Sequence, residues 1–154
     1  MIRESQQRVT GGGRERVVFV RLTSAQVKAL RATPQTIAPA PGAGMIAEFV
    51  HARLALDYGG TNVFTETADN LAFKYTDGSG AQVSQDIETT GFLDQSADTV
   101  TFAQAKNDAI VAASACVNKA IVLHNIGDGE FAGNAGADNA LLVKLVYRIE
   151  RSRL

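Results

Sequence analysis

Apolar and polar positions alternate along most of the chain with a period of two, the signature of strands with one buried face. Arg16-Val17-Val18-Phe19-Val20-Arg21-Leu22 is a β-branched and aromatic run bounded by polar residues, and it reads as a strand. A helix signal stops it. In Thr23-Ser24-Ala25-Gln26 the Thr23 hydroxyl can accept from the third helical amide while Gln26 reaches back to the Thr23 amide, a capping box. The short helix that follows turns Val27 and Leu30 toward the body and Lys28 and Arg31 toward water, and Pro34 ends it. Pro39-Ala40-Pro41-Gly42-Ala43-Gly44 then reads as a fixed corner. From Met45 to Leu56 a long half-exposed strand is expected, with Val50, Ala52, Leu54, Leu56 and Tyr58 on one face and His51, Arg53 and Asp57 on the other.

The second half repeats the pattern. Residues 70–75 and 82–87, separated by Asp77-Gly78-Ser79-Gly80, read as a hairpin, and Thr99-Val100-Thr101-Phe102 as a further strand. The alanine-rich stretch 105–117 fits a short helix or an irregular core segment. Lys119–His124 reads as a strand, followed by a glycine-rich loop over 127–136. The last element is the clearest: Leu141, Val143, Leu145, Tyr147 and Ile149 share one face, and Lys144, Arg148 and Glu150 the other. Some seven strands divided by Gly/Pro/Asx clusters, with one short N-terminal helix, predict an all-β antiparallel β-sandwich, jelly-roll-like in architecture.

Composition narrows the function. The 154 residues, 45% of them apolar, are enough to bury on the order of 70% of the unfolded surface without a metal or disulfide. A formal charge of -1 argues against a dedicated nucleic-acid or membrane module. Apolar stretches are too short to span a bilayer as helices, and Met1–Arg8 lacks the apolar core of a secretory leader, so synthesis and residence in the cytoplasm are expected. Residues 1–15, polar and carrying Gly11-Gly12-Gly13, read as an extended N-terminal arm, with 16–154 as the single sandwich domain.

Candidate chemistry is sparse. His51-Ala52-Arg53 and His124-Asn125-Ile126 lack the His-x-His pair and carboxylate of a metal-binding jelly roll, so each histidine reads as a surface or edge residue and no metal or cofactor is expected. Cys116, between Ala115 and Val117, reads as a small buried hydrophobe, inert in chemistry. Asp86, Glu88, Asp94 and Asp98 fall near loops, and Asp128-Gly129-Glu130 is the nearest approach to a Ca2+ loop, but solvated loop carboxylates are the simpler reading. No nucleophile elbow, phosphate loop, paired cysteines or zinc-protease helix motif is present, so no catalytic residue is assigned and the chain reads as a non-enzyme. Phe19, Phe73, Tyr75, Phe102 and Tyr147 fall on predicted strands, where packing is the expected use, and the absence of Trp weakens a sugar-stacking reading. The cations Arg3, Arg8, Arg14 and Arg16 of the arm, with His51 and Arg53 on the polar face of the long strand, are the candidate partner-binding residues.

Leu22-Thr23-Ser24-Ala25-Gln26-Val27-Lys28-Ala29-Leu30, then Thr33-Pro34 and Ala40-Pro41-Gly42-Ala43-Gly44, resembles a group of small tailed-bacteriophage structural proteins. The similarity extends through Leu56-Asp57-Tyr58, Gly91-Phe92-Leu93, residues 118–123 and Val146-Tyr147-Arg148. It implies a capsid decoration (cement) or minor head protein: a β-sandwich on the outer capsid surface that bridges neighbouring major capsid proteins. The expected partners are the major capsid protein and further copies of the chain, as a dimer or trimer on capsid symmetry axes, with no nucleic acid or membrane. The expected location is the virion. A tail or baseplate accessory, or a host-surface carbohydrate-binding module, is the alternative.

Overall fold

A computed structural model describes residues 14–65 and 67–154. Strand β1 spans Glu15–Thr23, and the helix α1 that follows spans Ser24–Lys28. Thr23 forms both halves of the capping box: its hydroxyl accepts from the Gln26 amide at 3.3 Å, and its own amide donates to the Gln26 side chain at 2.9 Å. Val27 and Leu30 are fully buried, as their spacing predicts. The remaining strands are β2 (Gln35–Ala38), β3 (Met45–Asp57), β4 (Phe64–Thr65), β5 (Leu71–Tyr75), β6 (Thr99–Gln104), β7 (Ile121–Asn125), β8 (Ala132–Gly133) and β9 (Ala140–Arg151).

Two antiparallel sheets stack face to face, ordered β1-β9-β3-β6 and β2-β7-β5. Segment 82–87 lies on the free side of β5 through the bridges Lys74↔Gln82 and Leu71↔Ile87 and supplies the fourth position of the second sheet. First and last strands are thus neighbours, and the chain alternates between sheets in the order of a jelly roll. β4 and β8 form a separate two-stranded ribbon. The expected all-β antiparallel jelly-roll-like sandwich with one short helix is the observed architecture.

The core lies between the sheets. Phe49 of β3 and Phe73 of β5 meet with ring centroids 5.1 Å apart, and the Tyr75 hydroxyl donates to the Ala47 carbonyl across the same gap at 2.8 Å. Leu54, Leu56, Leu141, Val143 and Leu145 fill the first sheet's inner face. Ser84 replaces a broken part of the ladder, accepting from the Phe73 amide through its hydroxyl. Buried Asn134 and Asn139 both donate to the Asn62 carbonyl and so fix the loop that leads into β9.

Three local expectations are corrected. The register of β3 against β9 shifts between Phe49 and His51, so Val50 is a bulge residue and Phe49 takes the inward position assigned to Val50. The alanine-rich stretch is neither a helix nor core: it holds one 3-10 turn at Ala113–Ala115, and Ile110 is fully exposed. Segment 82–87 pairs through isolated bridges instead of a continuous strand.

Candidate functional site: the outer face of the first sheet

Cross-strand register defines what the outward face of the four-stranded sheet presents. One row runs Phe19, Lys144, Arg53, Phe102 from β1 to β6. The row above it runs Val17, Val146, His51, Gln104, and the row below runs Arg21, Leu142, Ala55, Val100. Phe19 is 69% exposed and Phe102 67%, and Val17, Val100 and Leu142 are exposed with them. Strands lie roughly 4.8 Å apart, so the two rings stand about 14 Å from each other with two cations between them. The Lys144 ammonium sits 5.9 Å from the Phe19 ring centroid, within cation–π range. A shallow depression of about 230 Å³ opens among Phe19, Arg21, Arg53, Leu142 and Lys144.

The exposure of Phe19 and Phe102 corrects the expectation that strand aromatics are packing residues; Phe73, Tyr75 and Tyr147 are buried as expected. In β1 the inward positions are Val18, Val20 and Leu22, which leaves Phe19 on the same side as Arg21. β6 is inverted: Ala103 is buried and Thr99 and Thr101 are half-buried, while Val100 and Phe102 face out. A strand that turns its larger apolar side chains to solvent leaves apolar surface uncovered, and such patches mark interaction sites.

Of the six candidate partner-binding residues, His51 and Arg53 lie on this face, in adjacent rows. Arg16 shares the side-chain direction of Val18, Val20 and Leu22, so it is exposed at the end of the inward-facing row and not beside Arg53. Arg14 is exposed just before β1, and Arg3 and Arg8 lie outside the described residues. Sequence reasoning missed Phe19, Phe102 and Lys144. The available signals were the shared parity of Phe19 with Arg21 and the threonine alternation Thr99, Thr101.

A second recess, of about 590 Å³, lies outside the second sheet among Arg31, Gly78, Ser79, His124, Asp128 and Glu130. His124 corrects its expected surface or edge position: it is 7% exposed on the fully buried strand β7, its Nδ1 has no hydrogen-bond partner among the described residues, and burial, reinforced by the Lys74 charge, holds its pKa below 6.5. The carboxylates here have structural employment. Glu130 accepts from the Arg31 and Ala32 amides, and Asp69 accepts from those of Asp128 and Gly129. Likewise Asp98 accepts from the Tyr58 amide, Asp94 from Gly91, Glu88 from Thr90, and Asp86 from the Gln82 side chain. Among the described residues no group of three His, Cys, Asp or Glu is placed to hold a metal ion. Cys116 is half-buried at the core margin, its thiol donating to the Ala113 carbonyl.

No family model and no curated protein matches the chain. Among solved structures, the capsid of Ralstonia phage GP4 aligns at 13% identity with a TM-score of 0.38, covering 89% of this chain and 85% of that one. A Nora virus structure aligns at 12% identity and a TM-score of 0.38, covering 89% of this chain and 56% of that one. A virus-like particle of the nodavirus of the giant freshwater prawn Macrobrachium rosenbergii aligns at 11% identity and a TM-score of 0.33, covering 90% and 95%. These are virion structures, and at this level of likeness the jelly roll rests on the chain's own strand order.

Proposed function

We propose that the chain is a non-enzymatic virion structural protein that binds the outer surface of a tailed-phage capsid and cements neighbouring major capsid proteins. The observation that carries this reading is the Phe19-Lys144-Arg53-Phe102 row on a rigid sheet, flanked by Val17, Val100 and Leu142. A flat face of exposed rings around two cations suits a protein surface whose apolar side chains surround carboxylates. Burying one such ring contributes roughly 1.5–3 kcal/mol, and the charges set register and association rate. The resemblance of residues 22–44 to tailed-phage structural proteins supplies the partner. A ligand that prefers the assembled, expanded shell stabilises that state by mass action, which is all a cement protein has to do. Arg3 and Arg8, cations of the leading segment, supply further charges for contact with the shell.

The test is a variant series in a capsid-attachment assay. Phe19→Ser with Phe102→Ser removes the apolar half of the face, and occupancy on expanded capsids is expected to fall at least tenfold with the melting temperature unchanged. Occupancy equal to that of the parent chain overturns the face assignment. A host-surface carbohydrate module is the second reading, favoured by the same exposed rings, which can stack on sugars. Binding on a glycan array that is lost in the double variant, with no capsid attachment by the parent, would select it.

A further inference from the structure

The free sheet edges are protected unequally. β2 is only four residues long, its register is irregular before Ala38, and Pro39 follows it. The outer side of β6 is met at its end by the second sheet, where the Gln85 amide donates to the Gln104 carbonyl and Ser84 bridges Ala105. Among the described residues, β1 has no such cover on its outer side. It runs nine residues in unbroken register with β9 and contains neither proline nor lysine. Among the described residues, no backbone hydrogen bond leads from Glu15–Leu22 to anything except β9. A long, regular, uncovered edge is a template for another strand.

We propose that β1 pairs antiparallel with β1 of a second copy of this chain about a two-fold axis beside Val18, which joins two four-stranded sheets into one. A two-fold pairing in a common sheet requires the axis to pass a residue opposite itself, and the candidate centres differ in what they juxtapose. Centred on Val18, Glu15 faces Arg21 and Val17 faces Phe19, each twice, and Arg16 faces Val20. Centred on Phe19, Arg21 faces Val17 and Glu15 faces Thr23; centred on Val17, Glu15 faces Phe19, so neither makes a charge pair. The Val18 register therefore combines charge complementarity with two apolar pairs on the outer side.

It also extends ion pairs already formed. Arg21 donates to Asp57 at 2.6 Å, and Arg148 to Glu15 at 2.9 Å. Across the proposed axis these become the chain Asp57, Arg21, Glu15 and Arg148, alternating in sign, with the last two from the second copy. Val17 and Phe19 of both copies would meet at the centre, so the two outer faces form one continuous surface. The pairing is independent of what that surface binds.

The test is sedimentation equilibrium of the full chain and of charge-reversed variants. The chain is expected to form dimers at micromolar concentration. Glu15→Arg or Arg21→Glu sets like charges opposite each other and should weaken dimerisation at least tenfold, and the two reversals together should recover most of it. In a Cys116→Ser background, Val18→Cys is expected to give a disulfide-linked dimer on mild oxidation and Val20→Cys is not. A chain that stays monomeric to millimolar concentration, a trimer, or a dimer indifferent to both reversals overturns the proposal. So does a monomer that dimerises only when residues 1–13 are removed, which would make the chain's own leading segment the occupant of the edge.

Discussion

Two side chains illustrate how single residues hold this fold. Tyr75 reaches across the sandwich, and burial pushes its phenol up to about 12, so it remains a neutral donor to Ala47 throughout the physiological range. Tyr75→Phe leaves that carbonyl without its partner and is expected to cost about 1–3 kcal/mol in urea unfolding. His124 acts through protonation. Because burial and Lys74 hold its folded pKa below 6.5, the unfolded chain takes up the proton first. Its contribution to stability is therefore complete above pH 6.5 and is lost as pH falls from there through the folded value. The melting temperature should drop more steeply in the parent chain than in His124→Gln over that window, and parallel curves would contradict the account.

At the scale of elements, most of the architecture is legible in residue pattern because one-sided burial writes a period of two. β9 is the clearest case: Leu141, Val143, Leu145 and Tyr147 are all buried on the side their alternation indicates. The α1 cap was equally legible, since its chemistry is local. What escaped the pattern was non-local. The bulge at Val50 exists only in register with β9, and it moves the inward position to Phe49 without any local signal. β6 reads outward in because Val100 and Phe102 look like core residues until the sheet around them is known. The candidate face was half visible: His51 and Arg53 stood out on β3, but Phe19, Lys144 and Phe102 join them only through strand pairing. Leu54→Ala, inside the same strand, should destabilise by about 2–5 kcal/mol, whereas Arg53→Ala beside it should leave the midpoint within about 0.5 kcal/mol and weaken partner attachment.

At the scale of the whole molecule, the jelly roll leaves exposed apolar side chains on the outer face of its first sheet. Glu130, Asp98, Asp94 and Asp69 of its loops accept from backbone amides, and the buried His124 is joined by hydrogen bond to no carboxylate or hydroxyl among the described residues. Apolar rings and cations are displayed together on the outer face of the first sheet. Under the proposed function, what matters is what this face covers on the shell. The most direct measurement of the proposed function is co-sedimentation of the purified chain with empty, expanded tailed-phage capsids, over a salt series. Saturation at a fixed ratio to the major capsid protein is expected, weakened but not abolished by salt because the rings carry part of the affinity. Absence of saturable attachment to capsids, with the protein recovered in tails or free in the lysate, would contradict it.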